Sequence, residues 1–156
     1  MDDPQVRTEI IALLAQLERA WCALDFAAVR ALWDTERDPI YYAEEADGPL
    51  LRWPQLEEYW RITGSAIEHM GMRIVGEPQL RELSPGLVSV MYEMHWDAAL
   101  RGQQRPIGGD NRVCATLRRK REGWRFAQYV EAPLAPITYV RRLYERSVTP
   151  GFPAAR

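Results

Sequence analysis

The chain has 156 residues, 47% of them hydrophobic, with six Trp and seven Tyr; that is enough for one domain with a substantial core and too little for two ordinary ones. Twenty basic residues stand against 22 acidic ones, a formal charge of −2, and this near-balance argues against a nucleic-acid partner, which needs a basic footprint. Cys22 and Cys114 lack metal-ligand or redox-pair spacing, and no apolar run approaches membrane-spanning length, so a cytoplasmic protein with no membrane contact is expected.

Residues 5–24 predict a helix, because Ile10, Leu13, Leu14, Leu17, Trp21 and Leu24 recur at spacings of three and four and form one apolar stripe. Pro4 suits its first turn, and Cys22 reads as part of its core. Asp25 reads as the N-cap of a second, short helix carrying Phe26, Val29, Leu32 and Trp33. Ile40-Tyr-Tyr-Ala43 is a short strand candidate, followed by a turn at Asp47-Gly48-Pro49. Pro54 opens a third helix that runs to Gly71, with Leu56, Tyr59, Trp60 and Ile67 as its buried face and His69 at its C-terminal end, where a positive charge suits the helix dipole.

The period then switches to two. Strands are predicted at 72–83, 87–100, 111–121 and 124–132, with turns at Ser84-Pro85-Gly86 and Arg121-Glu122-Gly123. The basic run Leu117-Arg-Arg-Lys-Arg121 reads as a charged strand end. Strands joined by short turns are antiparallel, so helices followed by strands imply an α+β fold with helices on one face of a curved sheet. A last helix follows Pro136, with Ile137, Val140, Tyr144 and Val148 on one face, expected to pack on the domain or across a dimer.

The most chemically suggestive stretch is Ser89-Val-Met-Tyr-Glu-Met-His-Trp-Asp97. Alternation puts Val88, Val90, Tyr92, Met94 and Trp96 on one face and Ser89, Met91, Glu93, His95 and Asp97 on the other. The apolar set should face the helices, which leaves the titratable groups outside. Only a bulge would turn His95 inward to serve as a general base. On the next strand Val113, Ala115 and Leu117 form the inner set, and Asp110 with Arg112 reads as a surface ion pair. On the last strand Trp124, Phe126, Gln128 and Val130 share a face, which would bury the Gln128 amide. Phosphate-loop, dinucleotide, zinc-protease and nucleophile-elbow motifs do not occur, and two distant histidines do not suggest a metal site. No metal and no cofactor are expected.

Three helices followed by a long meander, with "LERAWCALDFAAVRALWD", "LEEYW" and "TLRRKREGWRFAQYV", resemble the nuclear transport factor 2-like superfamily over roughly residues 5–132. SnoaL-like cyclases, ketosteroid isomerase, scytalone dehydratase and dioxygenase small subunits are among its members. The resemblance implies a single domain over 1–156, with a core of about 5–132 and a helical extension at 133–150. It also implies a cone-shaped antiparallel or mixed sheet wrapped around the three N-terminal helices. A ligand cavity lies inside such a cone in many members, and the outer sheet face often forms a homodimer. Trp21, Tyr41, Tyr59, Trp60, Tyr92, Met94, Trp96, Phe126 and Gln128 are then the candidate ligand-binding residues. By rough correspondence the ketosteroid isomerase base falls near Ala43–Glu44 and its protonated Asp near Thr116, and only Glu44 has a carboxylate, so steroid isomerisation of that kind is not expected.

Three functions follow from the resemblance. The first is binding of a small hydrophobic or aromatic molecule. The second is a cofactor-independent cyclase, isomerase or dehydratase of the SnoaL-like kind, with His95, Asp97 and Tyr42 as catalytic candidates. The third is a structural or dimerisation subunit.

Overall fold

The computed structural model describes residues 3–134 and 149–150; the helix expected after Pro136 lies outside them. Asp3 caps the first helix, α1 (Pro4–Cys22), by accepting from the backbone N–H groups of Gln5 and Val6. Ile10, Leu13, Leu14 and Leu17 form its buried stripe, as their spacing dictates. Asp25 accepts from Ala28 N–H at 2.9 Å and starts α2 (Phe26–Ala31). Cys22 does not join the core: it is exposed at the end of α1, where its Sγ accepts from Met72 N–H at 3.2 Å.

The sheet is five-stranded, curved and unclosed, in the order β1-β5-β4-β3-β2. Its members are β1 (Ile40–Tyr42), β2 (Ile67–Ser84), β3 (Leu87–Leu100), β4 (Ile107–Lys120) and β5 (Gly123–Pro133). β2 to β5 form an antiparallel meander, and β1 joins the edge of β5 in parallel. The sheet is therefore mixed, and α1, α2 and α3 (Trp53–Ala66) lie on its concave face. Val88, Val90, Val113, Ala115, Leu117 and Phe126 from the strands meet Leu14, Leu17, Val29, Leu56 and Trp60 from the helices. Each large side chain buried this way stabilises by about 1.5–3 kcal/mol.

Two expectations change here. α3 ends at Ala66, and residues 67–70 belong to β2, where Ile67 pairs with Leu100 and His69 with Ala99. Pairing with the far end of β3 gives these peptide groups partners and overrides the local helical pattern, so His69 is an exposed strand residue beyond the helix and not part of its last turn.

The second change sits in β5. Leu117 pairs with Phe126, but its neighbour Thr116 pairs with Gln128, leaving Ala127 as an extra residue. This is a β-bulge. It lies where β5 changes its other partner, from Trp33 opposite Phe126 to β1 opposite Gln128. Trp124 and Phe126 face inward before the bulge, and Tyr129 and Glu131 face inward after it. Gln128 turns to the outer face with its partner Thr116.

The basic run at the end of β4 is bound into the fold. Arg118 Nη1 and Lys120 Nζ reach the Asp34 carboxylate at 2.5 and 3.1 Å. Arg119 pairs with Glu9 and lies over the Trp124 ring.

Candidate functional site

A cavity of about 360 Å³ opens between α1, α3 and the concave face of the sheet. Trp21 from α1, Tyr59 and Ile62 from α3, Met70 and Met72 from β2, and Met94 and Trp96 from β3 form its apolar walls. Its other end is polar. There β5 contributes Tyr129 and Glu131, β4 contributes Asn111, β1 contributes Tyr41, and the turn after β1 contributes Glu44 and Glu45.

Glu131 is the centre of the polar end. Its carboxylate accepts from Tyr41 Oη at 3.0 Å and from Asn111 Nδ2 at 3.1 Å. Burial pushes this carboxyl up; the bonds from Asn111 and Tyr41 pull it partly back, and the charges of Glu45 and Glu44 raise it again, leaving it at about 7. Glu44 is also raised, by burial first and then by Glu45. A carboxyl that titrates near neutral pH can both take up and release a proton there.

Tyrosines surround this group. Tyr41 stacks on Tyr129 with ring centroids 5.3 Å apart, and its other neighbour Tyr59 lies at 5.5 Å. Tyr59 donates to Glu45 at 2.8 Å. Tyr92 donates to Tyr129 at 3.3 Å, and Tyr129 donates to the Met94 sulfur at 3.8 Å. Burial pushes all four hydroxyls up, so they stay protonated donors. Asn111 is 2% exposed, and its Oδ1 has no hydrogen-bond partner among the described residues.

Of the residues expected from sequence to bind a ligand, Trp21, Tyr41, Tyr59, Met94 and Trp96 line the cavity. Tyr92, Trp60 and Phe126 point inward but are packed in the core instead, with Trp60 between Phe26 and Trp33. Gln128 is on the outer face, because the bulge at Ala127 reverses the alternation that would bury it.

His95, Asp97 and Tyr42 are also on the outer face, across the sheet from the cavity. His95 Nδ1 lies 2.8 Å from Asp110 Oδ1 and its Nε2 lies 3.1 Å from Asp97 Oδ2. Asp110 thus pairs with His95, its direct cross-strand partner, rather than with Arg112 two residues along its own strand. Tyr42 is exposed on β1, separated from this cluster by β5. β3 has no bulge against β4 that would turn His95 inward.

Asn111, Tyr129 and Glu131 escape a reading of the sequence. Asn111 was within reach: the inner set Val113, Ala115, Leu117 extends back to it by one step of two. Tyr129 and Glu131 were not, because nothing in "FAQYVEA" marks the extra residue. Among the described residues no group of three His, Cys, Asp or Glu is placed to hold a metal ion, and no helix is long and apolar enough to cross a membrane.

No protein-family model and no curated protein matches the chain. Solved structures do match it. A nuclear transport factor 2-like superfamily protein from Salmonella enterica serovar Typhimurium superposes with a TM-score of 0.76 at 15% identity, covering 85% of this chain and 93% of that one. A ketosteroid isomerase-like protein from Erwinia carotovora atroseptica gives 0.70 at 15%, over 86% and 100%. A protein with a cystatin-like fold from Caulobacter vibrioides gives 0.71 at 12%, over 91% and 99%. At these identities the likeness is one of fold.

Proposed function

We propose that this chain, whose fold is that of the nuclear transport factor 2-like proteins, binds a small apolar or aromatic molecule inside the cone. The carrying observation is the cavity of about 360 Å³ with aromatic and thioether walls and one polar end. Small-molecule sites have this combination of an apolar lining with a few convergent polar groups. Trp21, Tyr41, Tyr59, Met94 and Trp96 supply the contact surface.

A panel of one- and two-ring aromatic compounds in a thermal-shift assay tests this. A ligand at a hundredfold excess over its Kd should raise Tm by roughly 5–10 °C. Ala98→Phe, which fills the cavity from β3, should remove the rise. A panel with no effect on the wild type, or an equal effect on the filled variant, would count against the reading.

Acid–base turnover is the second reading, and the buried Glu131 carboxyl at the polar end favours it. Isomerases and dehydratases that work without cofactors rely on such a group. Glu131→Gln separates the two readings, since it should spare binding of a neutral apolar ligand and abolish turnover.

We also propose a homodimer through the outer sheet face. Ile40, Tyr42, Val75 and Met91 lie there with 37–57% of their surface exposed, amid charged groups of both signs that suit a two-fold, self-complementary contact. Size-exclusion chromatography with light scattering should give twice the chain mass of 18.1 kDa. Met91→Glu should halve it, and a wild-type monomer at micromolar concentration would refute the dimer.

A further inference from the structure

The polar end of the cavity has a definite electrical sign. Its charged groups are Glu44, Glu45 and Glu131, and among the described residues no Lys, Arg or His lines the cavity. Asn111 Oδ1, buried and without a partner, is a further acceptor beside Glu131. Everything at this end except the Tyr hydroxyls and the Asn111 amide N–H therefore asks for donors or positive charge.

Those few donors are already engaged. Tyr41 Oη and Asn111 Nδ2 donate to Glu131, Tyr59 Oη to Glu45, and Tyr129 Oη to Met94. A carboxylate ligand would meet Glu44, Glu45 and a partly ionised Glu131 with no Lys, Arg or His among the lining residues to offset them, in a site where low dielectric makes repulsion costly. An alcohol has one donor to offer. An ammonium has three donors and a charge, and can satisfy Asn111 Oδ1 and Glu131 together.

We infer that the cavity selects an apolar amine, with its ammonium between Glu131 and Asn111 and its hydrocarbon or aromatic body against Trp21, Tyr59 and Trp96. This inference rests on the reading of the cavity as a ligand site. Binding also moves a proton. The Glu131 carboxyl titrates near 7 in the free protein, and an ammonium beside it favours the ionised form, so amine binding at pH 7 releases a fraction of a proton.

Three compounds with one skeleton test the inference: 3-phenylpropylamine, 3-phenylpropanol and 3-phenylpropanoate. Calorimetric titration at pH 7 should give the amine at least about tenfold tighter binding than the alcohol, with the carboxylate weakest. Repeating the amine titration in buffers of different ionisation heat should reveal proton release. Glu131→Gln should abolish both the proton release and the preference for the amine over the alcohol. Tightest binding by the alcohol or the carboxylate, or an amine preference that survives in Glu131→Gln, overturns the amine inference and leaves the ligand cavity standing. If none of the three binds while an aromatic compound from the panel still raises Tm, the amine inference alone falls. If nothing binds at all, both fall.

Discussion

Glu131→Gln should make the protein more stable at pH 8 by about 3 kcal/mol and should change it little at pH 4. The carboxyl sits at about 7 in the folded chain against an ordinary 4.5. Below 4.5 it is protonated in both states and contributes nothing. Between 4.5 and 7 the unfolded chain ionises while the folded chain holds its proton, so wild-type stability falls as pH rises. Above 7 the full difference is in force, about 1.4 kcal/mol for each pH unit of separation. Gln keeps the shape and carries no charge to bury. Its carbonyl can still accept from Tyr41 or Asn111, so the hydrogen-bonded cluster is largely retained. Urea unfolding at pH 4, 6 and 8 checks this, with the two proteins diverging as pH rises. Parallel stabilities across that range would mean that Glu131 is not held neutral by burial. A group that weakens the fold at working pH and lines a cavity fits the proposed ligand site, since stability and activity trade against each other in such sites.

Asp34→Asn should act in the opposite direction, lowering stability at pH 7 by about 3 kcal/mol. Asp34 is 4% exposed, directly after the strand-like bridge at Trp33, and its carboxylate holds both Arg118 and Lys120. Burial pushes this carboxyl up, but the bonds from Arg118 and Lys120 outweigh it and hold the group below its ordinary 3.8. Its stabilisation is therefore present above pH 3.8 and is lost as pH falls through the lower folded value. Asn removes the charge, leaving Arg118 without its carboxylate and Lys120 with Glu36 alone. Arg118 and Lys120 keep 29% and 19% of their side-chain surface, so water tempers the loss and keeps it at the low end of the range for broken buried pairs. Urea unfolding should show wild type and variant far apart at pH 7, with the gap narrowing as pH falls below 3.8. A loss below about 1 kcal/mol at pH 7 would place the pair among ordinary surface contacts.

The fold was legible because its elements obey their periods. The stripe from Ile10 to Trp21, the Asp25 cap, the strand Leu87–Leu100 and the face of Val113, Ala115 and Leu117 follow from spacing alone, and so does the outward direction of His95. The long basic run was also visible, but not its partners, since Asp34 and Glu9 meet it only after the sheet curls. The site was half legible. Trp21, Tyr41, Tyr59, Met94 and Trp96 can be placed near a cavity once a cone is expected. Glu131 could not, because two local events hide it: the bulge, which has no sequence signature, and the contact with Tyr41, which joins positions 90 residues apart. A group of that kind looks like any surface glutamate until the chain is folded.

The extra residue at Ala127 also bears on how this chain should be compared with its structural neighbours. β5 spends two positions where β4 spends one, so a gap-free alignment to a relative with an unbulged last strand would be right up to Phe126 and wrong after it. Gln128 would then be matched to an inner-wall residue, and Glu131 to an outer one. A one-residue gap at Ala127 restores the correspondence. The same fact describes a way for such cones to change their contents: gaining or losing one residue in a strand exchanges which side chains the interior sees downstream, with no substitution at all. The acid in this cavity is there by the count of residues in β5 as much as by their identity.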